Sequence, residues 1–211
     1  LFYVKPLNLG SRHSDELWSF LISALRHKFV RVLDRSALCF HTIGLTPNSS
    51  TLLGFAFAAL AGVILSLRVS DEMTYVVAPC LILVSGFFDA IDGSLARLYA
   101  SVTKFGGVLD STFDRFGEIV VLSSMVIVGL SDAFWGLAAI AGSTMVSYVR
   151  ARVEVEGVKM SGVGIAERPE RMFILVAGLF LRSTEYGVIL VAIFSGITVA
   201  QRILYAYRHL G

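Results

Sequence analysis

The chain has 211 residues, of which 55% are hydrophobic and only 16% charged, and its mean hydropathy is +0.74. Soluble domains carry about 25% charged residues, so a chain this apolar is expected to be solvated by lipid rather than to close around a core of its own. A net charge of +2 gives no reason to expect a nucleic-acid partner, and the two distant cysteines, Cys39 and Cys80, have no metal-type spacing and read as isolated thiols.

The chain opens on Leu1 rather than methionine and has no signal-peptide pattern, so residues 1–11 are expected to be a tag or linker remnant. Residues 12–43 are expected to form an amphipathic juxtamembrane helix. Leu17, Leu21, Leu25, Phe29 and Leu33 recur every four residues, with Arg26, His27, Lys28, Arg31 and Arg35 on a basic side. The rival for this segment is an ordinary packed helix of a soluble domain.

Residues 44–211 are expected to form the membrane domain. Thr46-Pro47-Asn48-Ser49-Ser50 is a helix-start signal before an apolar run from Leu52 to Val69. Further apolar stretches run over about 73–88, 105–130, 133–149, 163–181 and 186–205, which makes six transmembrane helices and an all-α integral membrane protein. The basic residues fall in alternate connections: Arg26 to Arg35, then Arg97 and Lys104, then Arg150, Arg152, Lys159, Arg168 and Arg171, then Arg202 and Arg208. The other loops hold only Arg68 and Arg182, each beside acidic residues. Both termini and the two basic loops are therefore expected on the cytoplasmic side.

Four acidic residues stand out because carboxylates in membrane spans are costly and functional by default. Asp89 and Asp92 are three apart at the end of the second stretch, and Asp110 and Asp114 are four apart at the start of the third. Each pair shares one helix face, so two antiparallel neighbours would bring four carboxylates together. Arg97 and Arg115 can neutralise part of that charge. Oxygen-only ligands favour one or two hard divalent cations, magnesium, manganese or calcium over zinc, and such ions suit phosphoryl chemistry. The bland alternative pairs the carboxylates with arginines at the membrane edge, and a rival of another class is a cation or proton transporter.

The stretch Asp89, Asp92, Gly93, Ala96 and Arg97, followed by Gly106, Asp110 and Asp114, resembles the signature of the CDP-alcohol phosphotransferase family at all eight fixed positions over 26 residues. The resemblance covers about residues 45–205. It implies a CDP-lipid donor and two divalent cations, Mg2+ or Mn2+, held by Asp89, Asp92, Asp110 and Asp114. It also implies that Asp114 takes the proton from the acceptor hydroxyl. Gly93, Arg97 and Thr103, with Pro47, Asn48, Ser49 and Ser50, would line the CDP site.

A second cluster bears on the acceptor. Ser147-Tyr-Val-Arg150-Ala-Arg152-Val-Glu154, followed by Gly164-Ile-Ala-Glu167-Arg168-Pro-Glu-Arg171, resembles the branch of the family that makes phosphatidylinositol phosphate or its archaeal ether-lipid counterpart from inositol 1-phosphate. That resemblance implies a phosphorylated polyol acceptor held at its phosphate by Ser147, Arg150, Arg168 and Arg202, with Arg150 in place of the branch's lysine. It also implies a homodimer. The rivals within the family are transfer to glycerol phosphate or use of a CDP-inositol donor.

Overall fold

A computed structural model describes residues 31–210, and all its regular elements are helical. Helix α1 covers residues 31–42 and ends where Gly44, at φ +86°, turns the chain; its amide bonds back to the His41 carbonyl. Leu33 and Ala37 of α1 are buried against Ile91 and Leu95. Most of the expected amphipathic segment, and the whole of residues 1–11, lies outside the described residues.

Six helices follow: α2 (Pro47–Leu67), α3 (Ala78–Leu98), α4 (Lys104–Ile127), α5 (Ala133–Val155), α6 (Arg168–Phe180) and α7 (Thr184–Leu210). Thr46 caps α2 in a reciprocal capping box with Ser49, and Pro47 sits in the first turn, where its missing N–H costs nothing. A π-helical turn, Met73–Val77, leads into α3. Pro79 accounts for it: its ring would strike the carbonyl four residues back and it has no N–H to donate, so the turn widens and the Ala78 amide reaches Met73 instead.

Among the described residues three helices have both the length and the composition to cross a bilayer: Pro47–Leu67, Met73–Leu98 and Thr184–Leu210. The other three fall short for visible reasons. Helix α4 carries Asp110, Asp114, Arg115 and Glu118 over residues 110–118, α5 ends on Arg150, Arg152 and Glu154, and α6 has only 13 residues.

Helix α2 packs against α3 and α4, and α5 and α6 pack against α7. Small residues set these distances. A Cβ on Gly62 would lie 2.5 Å from Val120, and one on Gly142 would lie 2.8 Å from Ser195. Close backbone approach through small residues is the usual solution where lipid offers no hydrophobic drive between helices. Leu60, Val63, Leu137, Phe173 and Leu190 stay exposed on the outside, as a surface facing acyl chains requires.

Candidate active site

Helices α3 and α4 deliver their carboxylates to one place. Oxygens of Asp89, Asp92 and Asp110 lie within 4.8 Å of one another. The spacing of three along α3 puts Asp89 and Asp92 on the same side, and Asp110 meets them from the first turns of α4. Asp92 is buried and accepts a 2.7 Å hydrogen bond from the Thr51 hydroxyl of α2. One oxygen of Asp110, Oδ1, is buried without any hydrogen-bond partner. Three converging carboxylates with an unsatisfied oxygen suit a hard divalent cation, which removes both the mutual repulsion and the desolvation cost.

Asp114 lies outside that triad and is tied to it by an arginine from another helix. Arg168, at the start of α6, places Nη1 2.7 Å from Asp89 and 2.8 Å from Asp114. Arg115 lies 3.5 Å from Asp114 and donates to the Ser111 carbonyl of its own helix. The principal counter-charge is therefore Arg168, and Arg97 turns elsewhere: it donates to Ser94 and lies over Gly93, where a Cβ would be 3.2 Å from its Nη1.

Two cavities meet at the carboxylates. The larger, about 1000 Å³, is lined by Asp89, Asp110 and Asp114 on one side and by Ser147, Arg150 and Arg168 on the other. The smaller, about 140 Å³, is lined by Pro47, Asn48, Gly93, Ala96, Thr103 and Gly106. Gly93 and Asp110 border both. Thr103 caps α4 by accepting from the Gly106 amide, and a Cβ on Gly106 would come within 2.9 Å of that hydroxyl. Ser49 and Ser50 have structural duties: Ser49 completes the α2 capping box, and Ser50, fully buried, donates to the Phe88 carbonyl.

The loop between α5 and α6 decides where Arg168 stands. Gly164 has φ +119°, and a Cβ there would lie 2.3 Å from Thr198, so glycine is required on both counts. Helix α7 pins this loop: Thr198 accepts from the Ala166 amide and Gln201 from the Ile165 amide. Arg202 is 1% exposed and donates Nε to Val163, Nη1 to Val146 and Nη2 to Glu167. It lies inside α7 rather than in a loop after it, and although it borders the larger cavity, its guanidinium bonds loop and helix groups.

Residues 44–202 match the CDP-alcohol phosphatidyltransferase family. The chain belongs to this family. The transferase is 37% identical to the archaetidylinositol phosphate synthase of Pyrococcus horikoshii, over 90% of this chain and 98% of that protein. It is 31% identical to the phosphatidylinositol phosphate synthase of Mycobacterium marinum, over 84% of this chain and 80% of that one. Among solved structures, Mycobacterium tuberculosis phosphatidylinositol phosphate synthase with CDP-DAG bound superposes with a TM-score of 0.72 at 27% identity, covering 84% of this chain and 94% of that chain. The same enzyme in complex with manganese and citrate also gives a TM-score of 0.72, at 26% identity over 83% and 88%. Family membership makes the chain a membrane enzyme and sets aside the ion-transport reading.

Sequence reasoning passed over two features of the site. Thr51 carries a signal, since it sits four residues beyond Pro47 on the face turned toward α3. The buried pair of Glu118 and Arg171, with Nε and Nη2 at 2.7 and 2.8 Å from the carboxylate oxygens, carries none, because its members are 53 residues apart.

Proposed function

We propose that this transferase moves a phosphatidyl-type group, on an ester or ether lipid, from a CDP-lipid to the hydroxyl of inositol 1-phosphate, with CMP leaving. The observation that carries the reading is the meeting of two chambers at the aspartate cluster, one walled by small residues and the other by cations. Asp89, Asp92, Asp110 and Asp114 would hold two divalent cations, Mg2+ or Mn2+, which would supply positive charge to offset that of a diphosphate. Pro47, Asn48, Gly93, Arg97 and Thr103 would receive the CDP portion, where glycine and alanine let a diphosphate approach the backbone. Ser147, Arg150 and Arg168 would take the acceptor phosphate, for which planar guanidinium groups are suited. Asp114 would accept the proton of the attacking hydroxyl, since it stands on the acceptor side of the triad. Arg202 would serve this site by holding the loop that carries Arg168.

All six helices from α2 to α7 would cross the bilayer, with α1 as the end of an interfacial helix and with the active site and both termini cytoplasmic. The assembly would be a homodimer, as the family resemblance implies. Helix-end charges and the basic loops support this orientation.

The test is direct. Purified protein given CDP-lipid and inositol 1-phosphate should release CMP in magnesium or manganese, and far less with glycerol phosphate or free inositol. Release that continues unchanged in chelator would reject the metal-dependent transfer.

A further inference from the structure

The end of α1 meets the end of α3 at a strained turn. Leu33, Ala37 and His41 recur every four residues and so share one face of α1, and Ile91, Leu95 and Tyr99 do the same on α3. The first two of each set are buried together. The last of each set meet as a stack, His41 on Tyr99, with ring centroids 3.6 Å apart and planes at 26°. Tyr99 is the C-terminal cap of α3, and Ala100 after it has φ +48°. Helices usually give that left-handed position to glycine, because a Cβ there crowds the carbonyl oxygen that follows. The Ser101 amide closes the turn on the Ala96 carbonyl at 3.0 Å.

Both rings stand at the root of a wall of the smaller cavity. From His41 the chain turns, with the Gly44 amide on the His41 carbonyl and the Leu45 amide on that of Phe40, and arrives at Pro47 and Asn48. From Tyr99 it passes through Ala100 to Ser101, Val102 and Thr103. All five residues at which these two paths arrive line that cavity. The walls stand close together, since a Cβ on Gly106 would lie 2.9 Å from the Thr103 hydroxyl and 3.2 Å from Oδ1 of Asn48.

We infer that His41 and Tyr99 are positioning residues for the donor: their stack holds the left-handed turn at Ala100 and so fixes the two walls that receive the nucleotide. The inference rests on the reading of the smaller cavity as the CDP site. Neither ring lines either cavity, so the pair acts through the backbone it fixes and not by touching the donor. A left-handed alanine gains by relaxing to other angles, and one hydrogen bond from the Ser101 amide offsets only part of that. The stack adds an anchor from a separate helix. Without it residues 100–103 spread over several conformations, and donor affinity falls by the fraction that remains competent. Ser147, Arg150 and Arg168 stand on α5 and α6 and keep their places.

The experiment is steady-state CMP release by the purified full chain in Mg2+, with CDP-lipid and inositol 1-phosphate varied in turn, for the wild type, H41A, H41F and H41A/A100G. H41A should raise the donor KM by about two- to tenfold, the worth of an aromatic pair, with acceptor KM and kcat within about twofold of wild type. H41F keeps a ring in place and should keep the wild-type donor KM. Glycine adopts the left-handed turn without cost, so H41A/A100G should recover most of the donor KM. A donor KM unchanged in H41A, or raised equally in H41F, would overturn the inference. So would a rise that A100G does not relieve, or a parallel loss in both KM values and kcat, which marks a merely structural role for α1. A wild type whose turnover does not saturate with CDP-lipid would remove the reading of the smaller cavity and this inference with it. Should H41A not fold, Y99L breaks the same stack from the other side and, with Y99F keeping the ring, carries the same expectations.

Discussion

Asp110 and Asp114 are one helical turn apart and meet different surroundings. Asp110 joins Asp89 and Asp92 and keeps a buried oxygen free, whereas Asp114 faces Arg168 across the larger cavity. The difference supports the proposal that Asp114, besides holding metal as Asp110 does, also takes the proton of the attacking hydroxyl. A D114N variant should lose turnover by about 10²–10⁴, the usual worth of a positioned base. Stopped CMP release against wild type measures this, and normal turnover would end the assignment. Thr51 is a subtler case. Its hydroxyl orients Asp92 from a third helix, and removing such a partner lowers metal affinity by roughly 10–100-fold. Mn2+ titration of T51V checks this, with unchanged affinity as the contrary outcome.

Helix α6, with 13 residues, is the shortest of the six helices from α2 to α7 and carries the most consequential first turn. No side chain caps it; Glu167 at the capping position accepts from Arg202 instead. Its hold on the rest comes from Arg171, 1% exposed, which grips Glu118 of α4 through two hydrogen bonds and the Ala166 carbonyl through a third. E118A would leave a buried guanidinium uncompensated, which costs about 3–5 kcal/mol. Thermal unfolding in detergent should show a clear drop in Tm for E118A and a smaller one when Glu118 and Arg171 are both replaced by apolar residues. An equal or larger loss in the double variant would show that the pair itself is not the source. The same geometry predicts that acceptor KM suffers more than donor KM in E118A, because the element it anchors carries Arg168.

For the whole molecule, the arrangement of charge predicts topology. Lys104, at the start of α4, and Asp132, between α4 and α5, should face opposite sides of the membrane. With Cys39 and Cys80, both exposed, replaced by serine, a single cysteine introduced at 104 should react with an impermeant reagent from the cytoplasmic side only. One introduced at 132 should react only from the other. Labelling of both from one side would break the six-span arrangement.

Much of this was legible in the chain itself. Apolar runs, capping signals and prolines mark the helices, because backbone hydrogen bonding in lipid leaves helix as the local solution. Helical periodicity likewise puts Asp89 beside Asp92, and Asp110 on the side that Asp114 shares. What no local rule supplies is the choice of counter-charge. Arg97 and Arg115 are near in sequence, yet Arg168 reaches the carboxylates, because α7 fixes a loop 163–167 that swings α6 against α3 and α4. Arg202 lends itself in the sequence to a substrate contact; in the structure it borders the larger cavity while its guanidinium bonds Val163 and Glu167 of that loop and the Val146 carbonyl. Pairings of charges separated by 50 residues or more depend on how helices stack, and stacking is settled by the small-residue contacts of the assembled bundle rather than by any single segment.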